Sequence, residues 1–146
     1  MSSAESVAML CSLIKFETIS AISPETGAYK ACADFILSEI TSFLPSIKRK
    51  SPNSKAFLLE SAPEHSPVVV LEWQGKDNTL GPILLNCHYD VVPAGDLSMW
   101  TKAEPFSGEV KDGKIFGRGS QDMKVSCENS NRIMLRAGTV SCCSQS

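Results

Sequence analysis

Residues 83–87, Ile-Leu-Leu-Asn-Cys, form a short apolar run with almost no alternation between apolar and polar positions. A strand exposed on one face alternates with a period of two, so this pattern predicts a strand buried on both faces. That is the habit of a sheet covered by helices. A second β-branched run, Val68–Trp73, precedes it across the turn signal Gly75-Lys76-Asp77-Asn78. Together with the helical signals below, these runs predict an α/β fold with a mixed sheet covered by helices.

The chain opens with capping-box spacing at Ser2-Ser3-Ala4-Glu5. Val7, Leu10, Cys11 and Ile14 then recur at helical intervals. Ser23-Pro24 reads as an N-cap with proline at the first helical position. Ala28, Ala31, Cys32, Phe35, Ile36, Ile40 and Phe43 continue one apolar face, which Pro45 is expected to end. Residues 46–67 are punctuated by Pro52, Pro63 and Pro67, with Lys55–Glu60 as a candidate strand among turns. Farther on, Asp112-Gly113 lies between two short extended pieces, the strongest local signal for a hairpin. The run from Ser120 is a candidate helix start.

Charge and composition exclude several function classes. Fourteen basic against sixteen acidic residues leave a formal charge of −2, with Lys48-Arg49-Lys50 the only basic run. Nothing there predicts nucleic acid or an anionic membrane as partner. No stretch reaches the roughly 18 consecutive apolar residues of a membrane span, and the N-terminus lacks a signal-peptide pattern, so a cytoplasmic location is expected. The six cysteines (Cys11, Cys32, Cys87, Cys127, Cys142, Cys143) include no C-x-x-C pair, which predicts reduced thiols rather than a disulfide framework.

Candidate chemistry gathers at two places. His88-Tyr89-Asp90 directly follows the apolar run, and in open α/β sheets ligands bind at the carboxyl ends of strands. A neutral imidazole is a common zinc ligand, and a carboxylate two residues on can hold its second nitrogen. The tripeptide alone is a common pattern and equally reads as the polar end of a strand. Asp122 follows in Gly117-Arg118-Gly119-Ser120-Gln121-Asp122-Met123-Lys124, where the glycines permit close backbone approach. On spacing alone, Asp122 is either a carboxylate able to bridge two cations or a cap on the following helix, with Lys124 solvated. Gly117-x-Gly119 lacks the third glycine of a dinucleotide fingerprint, and no histidine follows Ser120 as a nucleophile-elbow triad requires.

Taken jointly, ILLNCHYDVVP and PFSGEVKDGKIFGRGSQDMK, with VVVLEWQGKDNTLGP ahead of them, resemble the first metal-ligand region of the M20 family of zinc-dependent amidohydrolases and exopeptidases. The likeness is strongest to its aminoacylase branch. It runs from the N-terminal helix to Lys124. It implies that residues 1–125 are the N-terminal part of an M20-type catalytic domain, that His88 ligates one zinc and that Asp122 bridges two. It also implies that Asp90 acts beside the metal by orienting His88. The implied substrate is a small N-acyl amino acid, cleaved to a carboxylate and a free amino acid. A carboxypeptidase or dipeptidase activity is the related alternative, and a homodimer is the implied partner state.

The pattern is incomplete in this chain. In the family, a Glu-Glu pair, a further acidic ligand and a distant histidine follow the bridging aspartate. Here Glu128 is the only acidic residue after Asp122, and no histidine follows His88. His65 lies in a proline-rich loop ahead of the motif. Residues 126–146, rich in serine and cysteine and without sustained helical periodicity, read as a divergent, disordered tail on a truncated or alternatively terminated product. Such a chain is expected to be inactive alone, or to act as a fragment that binds metal weakly or pairs with full-length subunits. Strands left without neighbours would favour association.

Overall fold

The computed structural model describes residues 3–60 and 66–128. The chain begins with α1 (Ser3–Ile14), whose Met9, Leu10, Leu13 and Ile14 are buried. A four-residue helix, α2 (Ser23–Thr26), carries Pro24 in its first turn, where the missing N–H costs no hydrogen bond. The single helix expected from residue 23 onward is interrupted. Gly27 takes a left-handed φ of 73° and separates α2 from α3 (Ala28–Lys48), because its N–H closes α2 on the Ser23 carbonyl.

Pro45 does not end α3, contrary to the sequence expectation. Proline's fixed φ is compatible with a helix, so its cost is confined to one lost bond and local crowding. Ile47, 3% exposed, anchors the last turn against the core, and the Arg49 and Ser51 amides donate to the Pro45 and Ile47 carbonyls.

β1 (Lys55–Leu59) and β2 (Val68–Glu72) pair antiparallel, with Phe57 opposite Val70, and α3 packs on this ladder. Met9, Leu13, Cys32, Ile36, Ile40 and Cys127 form the central cluster, flanked by Phe16, Phe35, Ala56, Val69, Leu71, Cys87 and Tyr89. Burial of each large apolar side chain there contributes about 1.5–3 kcal/mol. The second ladder, β3 (Glu109–Lys111) with β4 (Lys114–Phe116), turns through Asp112 (φ 50°) and Gly113 (φ 70°), the two positive φ values that an Asp-Gly hairpin needs. Helices packed with small antiparallel sheets bear out the α/β class.

One strand is not where the sequence placed it. Residues 83–87 form no ladder, and Ile83, Leu84 and Leu85 are 55%, 86% and 47% exposed. An apolar run becomes a buried strand only when neighbours supply hydrogen bonds and cover. Among the described residues, β1 takes up one edge of β2 and nothing pairs with 83–87. Among the described residues, the nearest sheet-like link is the parallel bridge between Ile19 and Val91. The turn expected at 75–78 forms slightly later, where the Asp77 carboxylate accepts from the amide and hydroxyl of Thr79.

Of the cysteines, Cys32 and Cys127 are buried, Cys11 and Cys87 half-buried, and all four are free thiols. Cys142 and Cys143 lie outside the described residues, as do His65 and the tail from residue 129 onward. Among the described residues, no helix is long and apolar enough to cross a membrane.

Candidate metal centre

The loop that follows the exposed apolar run is held by the N-terminal segment. The Val91 amide donates to the Thr18 carbonyl at 2.8 Å, and the Ser20 amide donates to the Val91 carbonyl at 3.1 Å. The Thr18 hydroxyl donates to the Tyr89 carbonyl, and the Tyr89 hydroxyl to the Pro67 carbonyl. These bonds fix both faces of the residue pair that flanks Asp90. Tyr89 also meets the Tyr29 ring edge-on at 5.9 Å between centroids. Burial and the surrounding thiols and carboxylate push the Tyr89 phenol well above its ordinary range.

Within this frame the three predicted site residues meet. His88 Nδ1 lies 3.1 Å from Asp90 Oδ1 and 3.1 Å from the Asp90 carbonyl oxygen, while its Nε2 lies 3.3 Å from Asp122 Oδ1. The histidine and Asp90 side chains are about half exposed, and that of Asp122 is 90% exposed. Asp90 has a further partner that the sequence did not single out. The Ser20 hydroxyl donates to its other carboxylate oxygen at 2.8 Å, so both oxygens of Asp90 are engaged. A lone serine seventy positions upstream carries no local signal of such a role.

The donor chemistry fits a cation. With Nδ1–H directed at Asp90, a neutral imidazole presents the lone pair of Nε2 to a carboxylate oxygen. Two acceptors at that distance repel unless a proton or a metal ion lies between them. Two ligands on one tetrahedral zinc, with bonds of about 2.0–2.1 Å, stand about 3.3 Å apart, which matches the observed separation. The set is nevertheless short, because no group of three metal-ligating side chains occurs among the described residues.

The glycines of the second motif serve packing. A Cβ on Gly117, whose φ is 149°, would overlap Ile14 Cγ2, and one on Gly119 would sit 2.8 Å from Val91 Cγ1. The loop bearing Asp122 therefore presses directly on α1 and on the histidine loop. Gly117→Ala is expected to destabilise the chain by about 1–3 kcal/mol through overpacking and backbone strain, read as a lower urea midpoint at unchanged slope.

Lys124, solvated in the capping alternative for Asp122, is wholly buried. Its ammonium donates to the Leu13 carbonyl at 2.9 Å and to the Phe16 carbonyl at 2.7 Å, at the C-terminal end of α1. Burial lowers its pKa to about 8. The Asp122–Met123 peptide is cis, and residues 124–128 are helical. Arg118 stacks over Trp100 at 5.3 Å and donates to the Ala94 carbonyl, tying the same loop to the segment after Pro93.

Two thiols, Cys87 and Cys127, border His88, and a third, Cys32, lies in the core cluster with Cys127. Cys127 donates to the His88 carbonyl at 3.4 Å and is hydrogen-bonded to Cys87, which holds the Cys87 thiol down to about 7 against the effect of burial, with His88 adding to the lowering. The same contact and burial push Cys127 upward, and burial raises Cys32 to about 11.

Comparison with known proteins gives a consistent picture of these residues. Residues 84–127 match the family model described as peptidase family M20/M25/M40. A probable carboxypeptidase S-like protein of Dictyostelium discoideum is 53% identical over 57 residues, 39% of this chain and 11% of that protein. Aminoacylase-1 of the same organism is 41% identical over 87 residues, 51% of this chain and 21% of the relative. A succinyl-diaminopimelate desuccinylase of Cereibacter sphaeroides is 45% identical over 60 residues, 40% of this chain and 15% of that enzyme. The matched segments thus span between 11% and 21% of these relatives' own length.

Proposed function

We propose that this chain, whose residues 84–127 match the family model described as peptidase family M20/M25/M40, carries the first half of a zinc centre for hydrolysing the amide bond of an N-acyl amino acid. The observation that carries this reading is the placement of His88 Nε2 opposite Asp122 Oδ1 at 3.3 Å, with Nδ1 held by Asp90. His88 and Asp122 would hold the metal. When bound, a metal of this kind lowers the pKa of its water and polarises the amide carbonyl. Asp90 fixes the tautomer of His88 and turns Nε2 outward, and Ser20 in turn fixes Asp90. The choice of acyl amino acid over peptide rests on the likeness to aminoacylase-1, which covers a larger share of this chain than the carboxypeptidase S-like match.

Donor count favours a second reading, in which the chain binds metal without turning over substrate. Two donors leave a tetrahedral ion half-coordinated by protein, and among the described residues no third metal-ligating side chain joins them. Incubation of the 146-residue chain with zinc and N-acetyl-methionine decides between the two. Zinc-dependent release of methionine that disappears in His88→Ala supports the hydrolase. Saturable zinc binding without release supports the second reading, and the absence of both refutes each.

A further inference from the structure

Two neighbouring stretches of backbone lack hydrogen-bond partners. β2 is paired with β1 along one edge, and among the described residues its other edge is free. In 83–87, which forms no ladder, no backbone group is bonded to another among those residues. An open groove of about 310 Å³ is lined from both sides, by Val68, Val69 and Leu71 of β2 and by Leu85, with Ile36 and Ile40 of α3 also in its wall. The run that meets this groove at Leu85 is exposed at Leu80, Ile83 and Leu84, and Val68 is exposed at the start of β2. Sheet edges are ordinarily guarded by lysine, proline or a bulge. Here residues 78–87 carry no charged side chain, and Glu72, the one charge on β2, is paired with Lys55 on β1. Pro82 stands ahead of the run and leaves every amide of 83–87 able to donate.

We propose that this edge is a self-association surface, on which 83–87 of each copy of the chain lies along the free edge of β2 in the other. The groove calls for an extended, uncharged, apolar segment with unpaired backbone, and the chain supplies that segment itself. A two-fold axis repeats the arrangement, so one contact satisfies both edges of both copies. Such an axis also brings like residues near one another, which a charged edge would resist and this neutral one does not. Area sets the strength. Leu80, Ile83, Leu84, Leu85 and Val68 together expose the equivalent of about three whole apolar side chains, or roughly 300 Å² per copy. A standard interface buries about 800 Å² per partner, of which roughly 450 Å² is apolar. The edge supplies about two-thirds of that apolar share, which together with backbone pairing fits a reversible dimer rather than a permanent one. The groove also reaches His88 and Asp90, so the partner's run lies against the histidine loop.

The test is sedimentation velocity on the 146-residue chain from low micromolar to several hundred micromolar. EDTA and a thiol reductant are present, so that neither a shared metal ion nor a disulfide links the copies. The expected result is a monomer–dimer equilibrium with its midpoint inside that range. Leu84→Lys changes a side chain that is 86% exposed, and is expected to shift the midpoint about tenfold toward monomer while far-UV circular dichroism stays the same. Met99→Lys, also at an exposed position but away from the groove, is expected to leave the equilibrium where it was. Hydrogen exchange gives a second reading. The amides of 83–87 and β2 are expected to exchange more slowly at the high end of the range than at the low end. A monomer throughout overturns the proposal, as does a dimer that Leu84→Lys leaves intact or that Met99→Lys weakens as much. Growth past the dimer overturns the closed two-fold arrangement. If Leu84→Lys fails to fold, exchange in the unsubstituted chain decides, and concentration-dependent protection that spares 83–87 and β2 overturns the proposal.

Discussion

Replacing Lys124 with alanine is expected to lower the stability of the folded chain by about 3 kcal/mol, the range for emptying a buried site of this size. Two effects contribute. The aliphatic stem leaves a cavity between α1 and the loop that bears Asp122, and the Leu13 and Phe16 carbonyls lose a charged donor. Equilibrium urea unfolding measures the change. Lys124→Met separates the two effects, because it keeps most of the volume and removes only the ammonium. Comparing that variant with the unsubstituted chain across pH isolates the charge. Burial lowers the Lys124 pKa to about 8 from an ordinary 10.5, so between those values the unfolded chain binds more protons than the folded one. Stability therefore rises with pH across that window, by about 3 kcal/mol in total, and below pH 8 the charged form bears the full cost of burial. Lys124→Met is expected to lack this rise. Parallel stability curves for the two proteins between pH 8 and 10.5 would show that the ammonium is not desolvated.

The second large effect concerns the proposed metal centre. Isothermal titration with zinc is expected to give saturable binding that His88→Ala or Asp122→Ala abolishes, since each supplies one of the two protein donors found among the described residues. Asp90→Asn is expected to weaken binding about 10–100-fold while leaving the stoichiometry unchanged, because it removes the charge that orients Nδ1 without removing a ligand. Ser20→Ala acts one step farther out, by releasing the other Asp90 oxygen, and should weaken binding less than Asp90→Asn. Equal affinities for Asp90→Asn and the unsubstituted chain would mean that His88 is oriented by backbone alone, through the Asp90 carbonyl.

What could be read from the sequence divides by the range of the interactions involved. The Asp112-Gly113 hairpin was legible because its geometry is set by two residues, and Pro24 at a helix start was legible for the same reason. The break at Gly27 was missed because the apolar face continues across it. Pro45 misled because the burial of Ile47, which a pattern cannot weigh, keeps the last turn of α3 in place. The exposed 83–87 run is the sharpest difference. Its composition correctly describes a strand that wants cover, but cover comes from other segments. His88 and Asp122 were named from their residue types and motif, yet spacing alone left Asp122 open between ligand and cap. Only the fold brings its carboxylate to Nε2. The burial of Lys124 and the role of Ser20 were illegible, since both depend on partners 70 to 111 positions away.

Those distant partners have a consequence for how the site is made. Residues 13–20 clasp the histidine loop and hold the Lys124 ammonium, so a segment that leaves the ribosome well before residues 88–124 is the one that those later residues of the site require. At about 5–20 residues per second, α1 and its following segment wait roughly 5–20 s for their partners to emerge. During that interval Leu13 can already meet Cys32, Ile36 and Ile40 of α3, but its carbonyl lacks the Lys124 ammonium, Ile14 lacks the Gly117 loop, and Thr18 lacks Tyr89 and Val91. The site is therefore most vulnerable while it is being synthesised, and the newborn N-terminal helix is the segment on which a holding chaperone would have most to protect.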